Sequence, residues 1–387
     1  MKKLLKGVLG EENLRRVSGR LGGRRSANIK SQKLESEMGM EDSMEDSGGA
    51  VMLLPETGLV EFLHNVDEAK EVSLEVHRPV FLMFQEIPGC SVCTDFGKNV
   101  LSNEMIRDFI ESEFVPCVIN NRGTHPVDVE ALRMFNEPAL NNPVVRFIDD
   151  QGNDLIPRKD GVWDALGMLQ RMIQAQQAFD AAYKPPMYIR WLVQSLQLEH
   201  PLYRHHFETL ILTCECYWSG EAVAGAVAGV VSTEAAWMDN SEECVRVVFD
   251  TREVSLLELV KQVRDKDPKM GLVPCTRAQE TELHRHEYRT LRKRPIAPIK
   301  SYKENKYHLK TSGQFTVAQI ASLLPQQLAR INACIAANEG YVHLLSPTQT
   351  LPARTLRTRT LSRRHKQPTN PPQRGEEAET KQEGFEL

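Results

Sequence analysis

Residues 80–96 read VFLMFQEIPGCSVCTDF, and this stretch decides the fold of the first half of the chain. VFLMFQE reads as a strand whose first five residues are an unbroken apolar run, the pattern of a strand covered on both faces. A Pro-Gly turn follows, and Cys90 and Cys93 stand at the start of a helical pattern spanning 93–113, CTDFGKNVLSNEMIRDFIESE. A second apolar run, EFVPCVINN at 113–121, reads as the next strand. PVVRFIDDQGNDLIP (143–157) predicts two strands joined at a Gly-containing turn, and VWDALGMLQRMIQAQQAFDAAY (162–183) predicts a closing helix. Strand, CxxC turn, helix, strand, helix, hairpin, helix makes an α/β unit of about a hundred residues.

Pro185 and Pro186 end that unit, because proline cannot continue a helix. A helical connector, MYIRWLVQSLQLEHPLYRHH (187–206), leads to a second alternation of elements. FETLILTCE (207–215), GVVSTEAAWM (229–238) and CVRVVFD (244–250) read as strands. GEAVAGAVAGV (220–230), SLLELVKQVRDKDP (255–268) and FTVAQIASLLPQQLARINACIAANE (315–339) read as helices. The expected fold is therefore α/β in two domains. A disordered leader covers 1–50, the first domain 51–184, a linker 185–206, the second domain 207–345 and a disordered tail 346–387. The leader is a basic block followed by an acidic one, and the tail is charged and Pro-containing, so neither carries enough large apolar residues to form a core.

Composition narrows the function classes. The 387 residues are 41% hydrophobic and carry 48 Lys and Arg against 52 Asp and Glu, a net charge of -4. That balance gives no electrostatic case for nucleic acid as a partner. The opening MKKLLKGVLGEENLRR is interrupted by charge too early for a signal peptide, and no apolar run approaches the ~20 residues of a membrane span. A cytoplasmic protein with no membrane partner is expected. Eight cysteines are too sparse for a disulfide scaffold. Zinc is not expected either, since Cys90 and Cys93 have ligand-pair spacing but no second CxxC or HxxxH follows, and His284 and His286 are only two apart.

The CxxC has a specific chemical use. A helix N-terminus offers unpaired N–H groups and partial positive charge that favour a thiolate at the first cysteine, while the second lies one turn on and closes a disulfide. This pattern, with Pro143 just before a strand about fifty residues on, resembles the thioredoxin superfamily over residues 60–182. The resemblance implies that Cys90 attacks, Cys93 resolves and Pro143 is a cis-proline beside the disulfide. The sequence departs from that family in having Pro88-Gly89 where a Trp usually precedes the first cysteine, and Ser91-Val92 between the pair.

LILTCECYWSGEAVAG (210–225) holds a second pair, Cys214 and Cys216, bracketing Glu215. Here the chain resembles the A-class peptide methionine sulfoxide reductases over 207–311, through Cys216-Tyr217-Trp218, Glu221, GVVST and YKENKYHLK. The resemblance implies that Cys216 attacks the sulfoxide sulfur, Tyr217 and Trp218 wall the methyl group, and Glu243 protonates the leaving oxygen. Cys214 and Cys244, with Cys275, are the candidates to resolve the resulting sulfenic acid. Departures are a shortened MDNSEE segment, KMGLVPCTRAQ in place of the family's Gly-Asn-Asp stretch, and Glu215 in place of glycine, whose charge opposes a Cys216 thiolate.

Together these readings give a cofactor-free thiol oxidoreductase, with oxidised proteins or peptides as substrates and an upstream thiol as reductant. Cys90 and Cys93 would feed Cys216 in protein repair, a transfer that one chain favours by effective concentration. The alternatives are a thiol-disulfide oxidoreductase whose second domain only binds, and a redox-sensing scaffold.

Overall fold

The computed structural model describes residues 54–350, except 140, 142 and 300–303. The leader of 1–50 and all of the expected tail beyond 350 lie outside the described residues. Residues 346–350 are folded, with Ser346 and Thr348 buried.

In the first half, helix α1 (Val66–Val76) precedes strand β1 (Val80–Gln85), helix α2 (Ser91–Phe96) and helix α3 (Glu104–Glu113). Strand β2 (Val115–Asn120), helix α4 (Pro126–Phe135), strand β3 (Val144–Ile148) and helix α5 (Ala165–Phe179) complete it. The sheet order is β2-β1-β3, with β1 parallel to β2 and antiparallel to β3. The central position of β1 explains its unbroken apolar sequence. Phe81 and Met83 join a cluster with Ile106, Phe109 and Leu169, whereas Val80, Leu82 and Phe84 point the other way, onto Val66, Ala69 and Ala131. Alternate residues thus fill two cores, as the period of two in a strand requires. Phe81 alone meets the rings of Phe62, Phe114 and Phe147, so Phe81→Ala would cost about 3–5 kcal/mol.

Two sequence expectations differ from the structure here. The helix expected over 93–113 is broken into α2, a π-helical turn at Gly97–Leu101, and α3. The backbone of the 54–59 segment presses against Gly97, where a Cβ would fall 1.9 Å from the Pro55 carbonyl oxygen, and Asn103 caps a fresh helix through the N–H groups of Met105 and Ile106. The hairpin expected at 143–157 keeps only its first strand. Its return arm is a single bridge, Ile148 to Asp154, with Leu155 N–H donating to Phe147 O.

Helix α6 (Met187–Glu199) fills the expected linker. Tyr188, Ile189 and Leu192 are buried in the first half's core, while Met187 and Trp191 pack on a cluster built from Leu309, Ile331 and Leu344. Gln194 Nε2 donates to Asp250 Oδ2 at 2.9 Å, and Ser195 Oγ to Gln326 Oε1 at 2.9 Å. The connector is a bonded wedge rather than a free tether.

The second sheet has five strands: β4 (Phe207–Thr213), β5 (Val230–Met238), β6 (Glu242–Asp250), β7 (Gly271–Pro274) and β8 (Ile296–Pro298). The order is β7-β4-β6-β5-β8, antiparallel throughout. Helices α7 (Tyr217–Gly225) and α8 (Leu256–Lys266) cover one face, burying Leu210, Leu212, Val245, Val247 and Phe249. Ile211, Ala236, Met238, Cys244 and Val273 form the cluster on the other face. Helix α9 (Arg277–Arg285) and helix α10 (Tyr307–Thr311) follow. The single helix expected over 315–339 is two, α11 (Val317–Ser322) and α12 (Pro325–Ala336). The residue before a proline is driven to extended backbone, and Leu324 has φ -67 and ψ 157. The fold is α/β, with two sheets, as the sequence led us to expect.

Candidate functional site

Strand β1 delivers its last residues to a loop that is tied down on both sides. Asn120, at the end of the neighbouring strand β2, accepts from the Ile87 N–H at 3.2 Å and donates from Nδ2 to the Ile87 carbonyl at 2.6 Å. Glu56, itself buried, accepts from the Gly89 N–H at 2.8 Å. The Ile87–Pro88 peptide is cis. Gly89 is required sterically, since a Cβ there would come within 2.4 Å of the Cys93 Cβ. This loop sets Cys90 as the N-cap of α2, with its carbonyl accepting from the Thr94 N–H at 3.0 Å.

The two sulfurs stand 3.6 Å apart in unlike surroundings. Cys93 is fully buried and Cys90 half-exposed. The Cys93 backbone N–H, aimed at the Cys90 sulfur, holds that thiol below its ordinary value against the opposing effects of burial and Glu86; the Cys93 side chain and the Val92 N–H add to it. Burial pushes Cys93 up to about 11. An outer thiol that ionises easily beside an inner one that keeps its proton is the division of labour disulfide exchange needs. Glu86, at the mouth of the loop, is 6% exposed and pairs with Arg122 at 3.0 Å.

Pro143 is buried, and its carbonyl accepts from Trp163 Nε1 at 3.0 Å. The β1–β3 register ends at Phe84↔Val144, which puts Pro143 at the same end of the sheet as the cysteine loop. Its expected cis bond includes Asn142, which lies outside the described residues.

Cys216 occupies the corresponding position in the second half, as N-cap of α7, with its carbonyl accepting from the Gly220 N–H at 2.9 Å. Glu243 holds this turn by two bonds. Its carbonyl accepts from the Cys214 N–H at 3.0 Å, and its Oε2 accepts from the Tyr217 N–H at 2.7 Å. The expected acid thus sits beside the expected nucleophile, at the end of the helix where a carboxylate is favoured. Glu215 points to solvent and pairs with Lys269 at 2.8 Å, so the charge expected to oppose Cys216 is partnered.

Tyr217 is buried edge-on to Trp237, with ring centroids 5.8 Å apart, while Trp218 stacks on Tyr307 at 4.0 Å. A cavity of about 390 Å³ opens beside Cys216, Trp218 and Ser219, with His308 and Arg330 on its wall and Glu339 on its rim. The cavity therefore meets a helix-capping thiol and the ring of Trp218, while Glu243 does not line it and is held at the Tyr217 N–H. Tyr217 faces the core, and it is Trp218, stacked on Tyr307 behind it, that lines the cavity beside the thiol.

The resolving candidates are placed differently. Cys214 packs on the α7 side of the sheet, and burial pushes its thiol up to about 12. Cys244 belongs to the opposite face, with Ile211 and Val273, and burial pushes it up to about 11. Cys275 packs on that same far face. Neither Cys244 nor Cys275 shares a face with α7.

Three groups escaped sequence reasoning: Glu86, Asn120 and Tyr307. Glu86 stands four residues before Cys90, but only the turn at Pro88 folds it back. Tyr307 lies within the YKENKYHLK stretch already noted, and its stacking on Trp218 depends on contact across 89 residues, from 218 to 307.

No family model matches the chain, and no curated protein matches it. Among solved structures it is similar to one described as "DsbH Oxidoreductase", at 18% identity over 34% of this chain and 95% of that chain, with a TM-score of 0.26. No described helix is long and apolar enough to cross a membrane.

Proposed function

We propose that the chain is a thiol-based oxidoreductase. Cys90 and Cys93 exchange disulfides with protein substrates, and Cys216 reduces methionine sulfoxide in proteins. The observation that carries the first part is geometric: two sulfurs 3.6 Å apart at a helix N-terminus, one half-exposed and one buried, on a loop fixed by Asn120 and Glu56. In exchange, the Cys90 thiolate attacks a substrate disulfide, forming a mixed disulfide and releasing one substrate thiolate. Cys93 then attacks Cys90, releasing the second thiol and leaving a Cys90–Cys93 disulfide for an external dithiol to reduce.

The aromatic-walled cavity at Cys216 favours the second part. The Cys216 thiolate attacks the sulfoxide sulfur, Glu243 with solvent supplies protons to the departing oxygen, and methionine leaves as Cys216 becomes a sulfenic acid. A thiol condenses with that sulfenic acid, expelling water, and a second thiol clears the mixed disulfide. The net reaction is sulfoxide plus dithiol to methionine, water and disulfide. Because α6 is a packed wedge, Cys244 is buried on the far face and Cys214 is partly buried, electrons are expected to reach Cys216 from a separate molecule, including the Cys90–Cys93 pair of another copy.

Two assays on purified protein test the parts separately. Reduction of insulin should be lost in Cys90→Ser and kept in Cys216→Ser. Turnover of a methionine sulfoxide peptide with dithiothreitol should show the reverse. Absence of the first activity in folded wild-type protein would remove the disulfide-exchange assignment of Cys90 and Cys93; absence of the second would leave the Cys216 domain as a binding module; absence of both would remove the oxidoreductase assignment.

A further inference from the structure

We propose that Glu86, Cys90 and Cys93 together form a zinc site that opens only when the cysteine pair is reduced. A carboxylate oxygen of Glu86 and the sulfurs of Cys90 and Cys93 all lie within 4.8 Å of one another, the only such trio of metal-binding side chains among the described residues. Tetrahedral zinc holds sulfur at about 2.3 Å, so two thiolate ligands stand about 3.8 Å apart, the edge of the tetrahedron. The sulfurs are already at 3.6 Å. The CxxC spacing supplies half of a structural zinc site, and the sequence contains no second half. The structure supplies the third ligand from the end of β1 instead, a position no spacing rule connects with the pair.

Three further features suit a cation. The ligand loop is preorganised by the Asn120 and Glu56 bonds to Ile87 and Gly89, in the way outer partners fix ligands in metal sites. Glu86 is nearly buried, and its charge is balanced by one guanidinium, Arg122, whose side chain is exposed and outside the core. Three protein ligands leave the fourth position to water. Binding releases the two thiol protons as two Zn–S bonds form, and nothing is oxidised or reduced. Occupancy withdraws both thiols from exchange, so zinc acts as a reversible brake on the reduced form and has no access to the disulfide form.

The test is a zinc competition between the reduced full-length protein and a chromogenic chelator, joined to X-ray absorption of the zinc-loaded protein. Reduced wild-type protein should hold one equivalent that is absent after Cys90–Cys93 oxidation and in Cys93→Ser. Glu86→Gln, which removes a charged ligand, should weaken it by at least the roughly 10–100-fold that losing even an outer partner of a ligand costs, while Glu86→Asp keeps most of the affinity. The absorption spectrum should report two sulfurs and two lighter atoms. Equal affinity in wild type and Glu86→Gln, retention of the equivalent in Cys93→Ser, or a shell of three or more sulfurs would overturn the proposal. If Glu86→Gln fails to fold, the wild-type absorption spectrum decides alone.

Discussion

The carboxylate of Glu221, wholly buried at the base of α7, is held by both the backbone N–H and the ammonium of Lys306, 85 residues further along the chain. Thr233 shares the same carboxylate through its hydroxyl, and its carbonyl takes another of the ammonium's hydrogens. This joins the helix that Cys216 caps to the short helix carrying Tyr307 and His308. Glu221→Gln would leave a buried ammonium without its counter-charge and should cost about 3–5 kcal/mol, read as a fall in the unfolding midpoint in urea. A paired Glu221→Gln, Lys306→Met change should lose distinctly less. Equal losses in the two proteins would show that the ion pair is not the source of the effect.

The cysteine asymmetry predicts a trapping experiment. In Cys93→Ser the mixed disulfide between Cys90 and a substrate has no internal thiol to resolve it, so a covalent adduct should accumulate, visible on non-reducing gels. Cys90→Ser should form none. Disulfide turnover should drop at least about a hundredfold in each, about 2.7 kcal/mol of barrier by the usual conversion.

The same asymmetry has a pH signature. A thiol held below its ordinary value is already thiolate where a normal one is still protonated, so alkylation of Cys90 by iodoacetamide should reach half its maximal rate below pH 9.0, the unperturbed value. Cys93, pushed up to about 11 and buried, should resist the reagent until the protein unfolds. Peptide mapping after a timed pulse reads both, and equal labelling of the pair at neutral pH would refute the assignment of roles.

Asp108 predicts the acid limb of stability. Burial opposes its ionisation, but bonds from Arg107, from the Thr348 side chain and N–H, and from Ser346 together hold the carboxyl below its usual range. Thr348 N–H donates at 2.8 Å and its hydroxyl at 2.6 Å. A depressed carboxylate contributes stability that is complete above its unfolded value, about 3.9, and is lost as pH falls through the folded one. Thr348→Val should therefore lower stability at neutral pH by about 1–3 kcal/mol, with a gap to wild type that narrows below about pH 3. A gap that stays constant with pH would show that packing, not Asp108, is responsible.

Local features of the sequence were legible. Five consecutive apolar residues announced β1 as a central strand, and CxxC before a helical period placed Cys90 at a helix start. The same holds for Cys216 at the end of β4 and for the α/β class. What escaped was non-local or too short to carry a period. GLVP at 271–274 is four residues containing a glycine and a proline, yet it pairs with β4 because that strand offers a free edge. Glu86 beside two sulfurs, Tyr307 on Trp218 and Thr348 on Asp108 arise from chain reversals that no window of sequence contains. The breaks at Gly97 and Pro325 lay within reach, since each stands in the middle of an expected helix.

Helix α6 also governs how the protein comes apart. Its apolar side completes the core beneath β1, its polar side is bonded to Asp250 and Gln326, and its first turn rests on the C-terminal helices. Melting either half strips a partner from the other, so the two sheets share one cooperative transition and a calorimetric trace should show a single peak. A proteolytic nick at Pro185 would then liberate no independently stable fragment, and damage to either thiol centre's scaffold would condemn the whole chain to turnover as a unit.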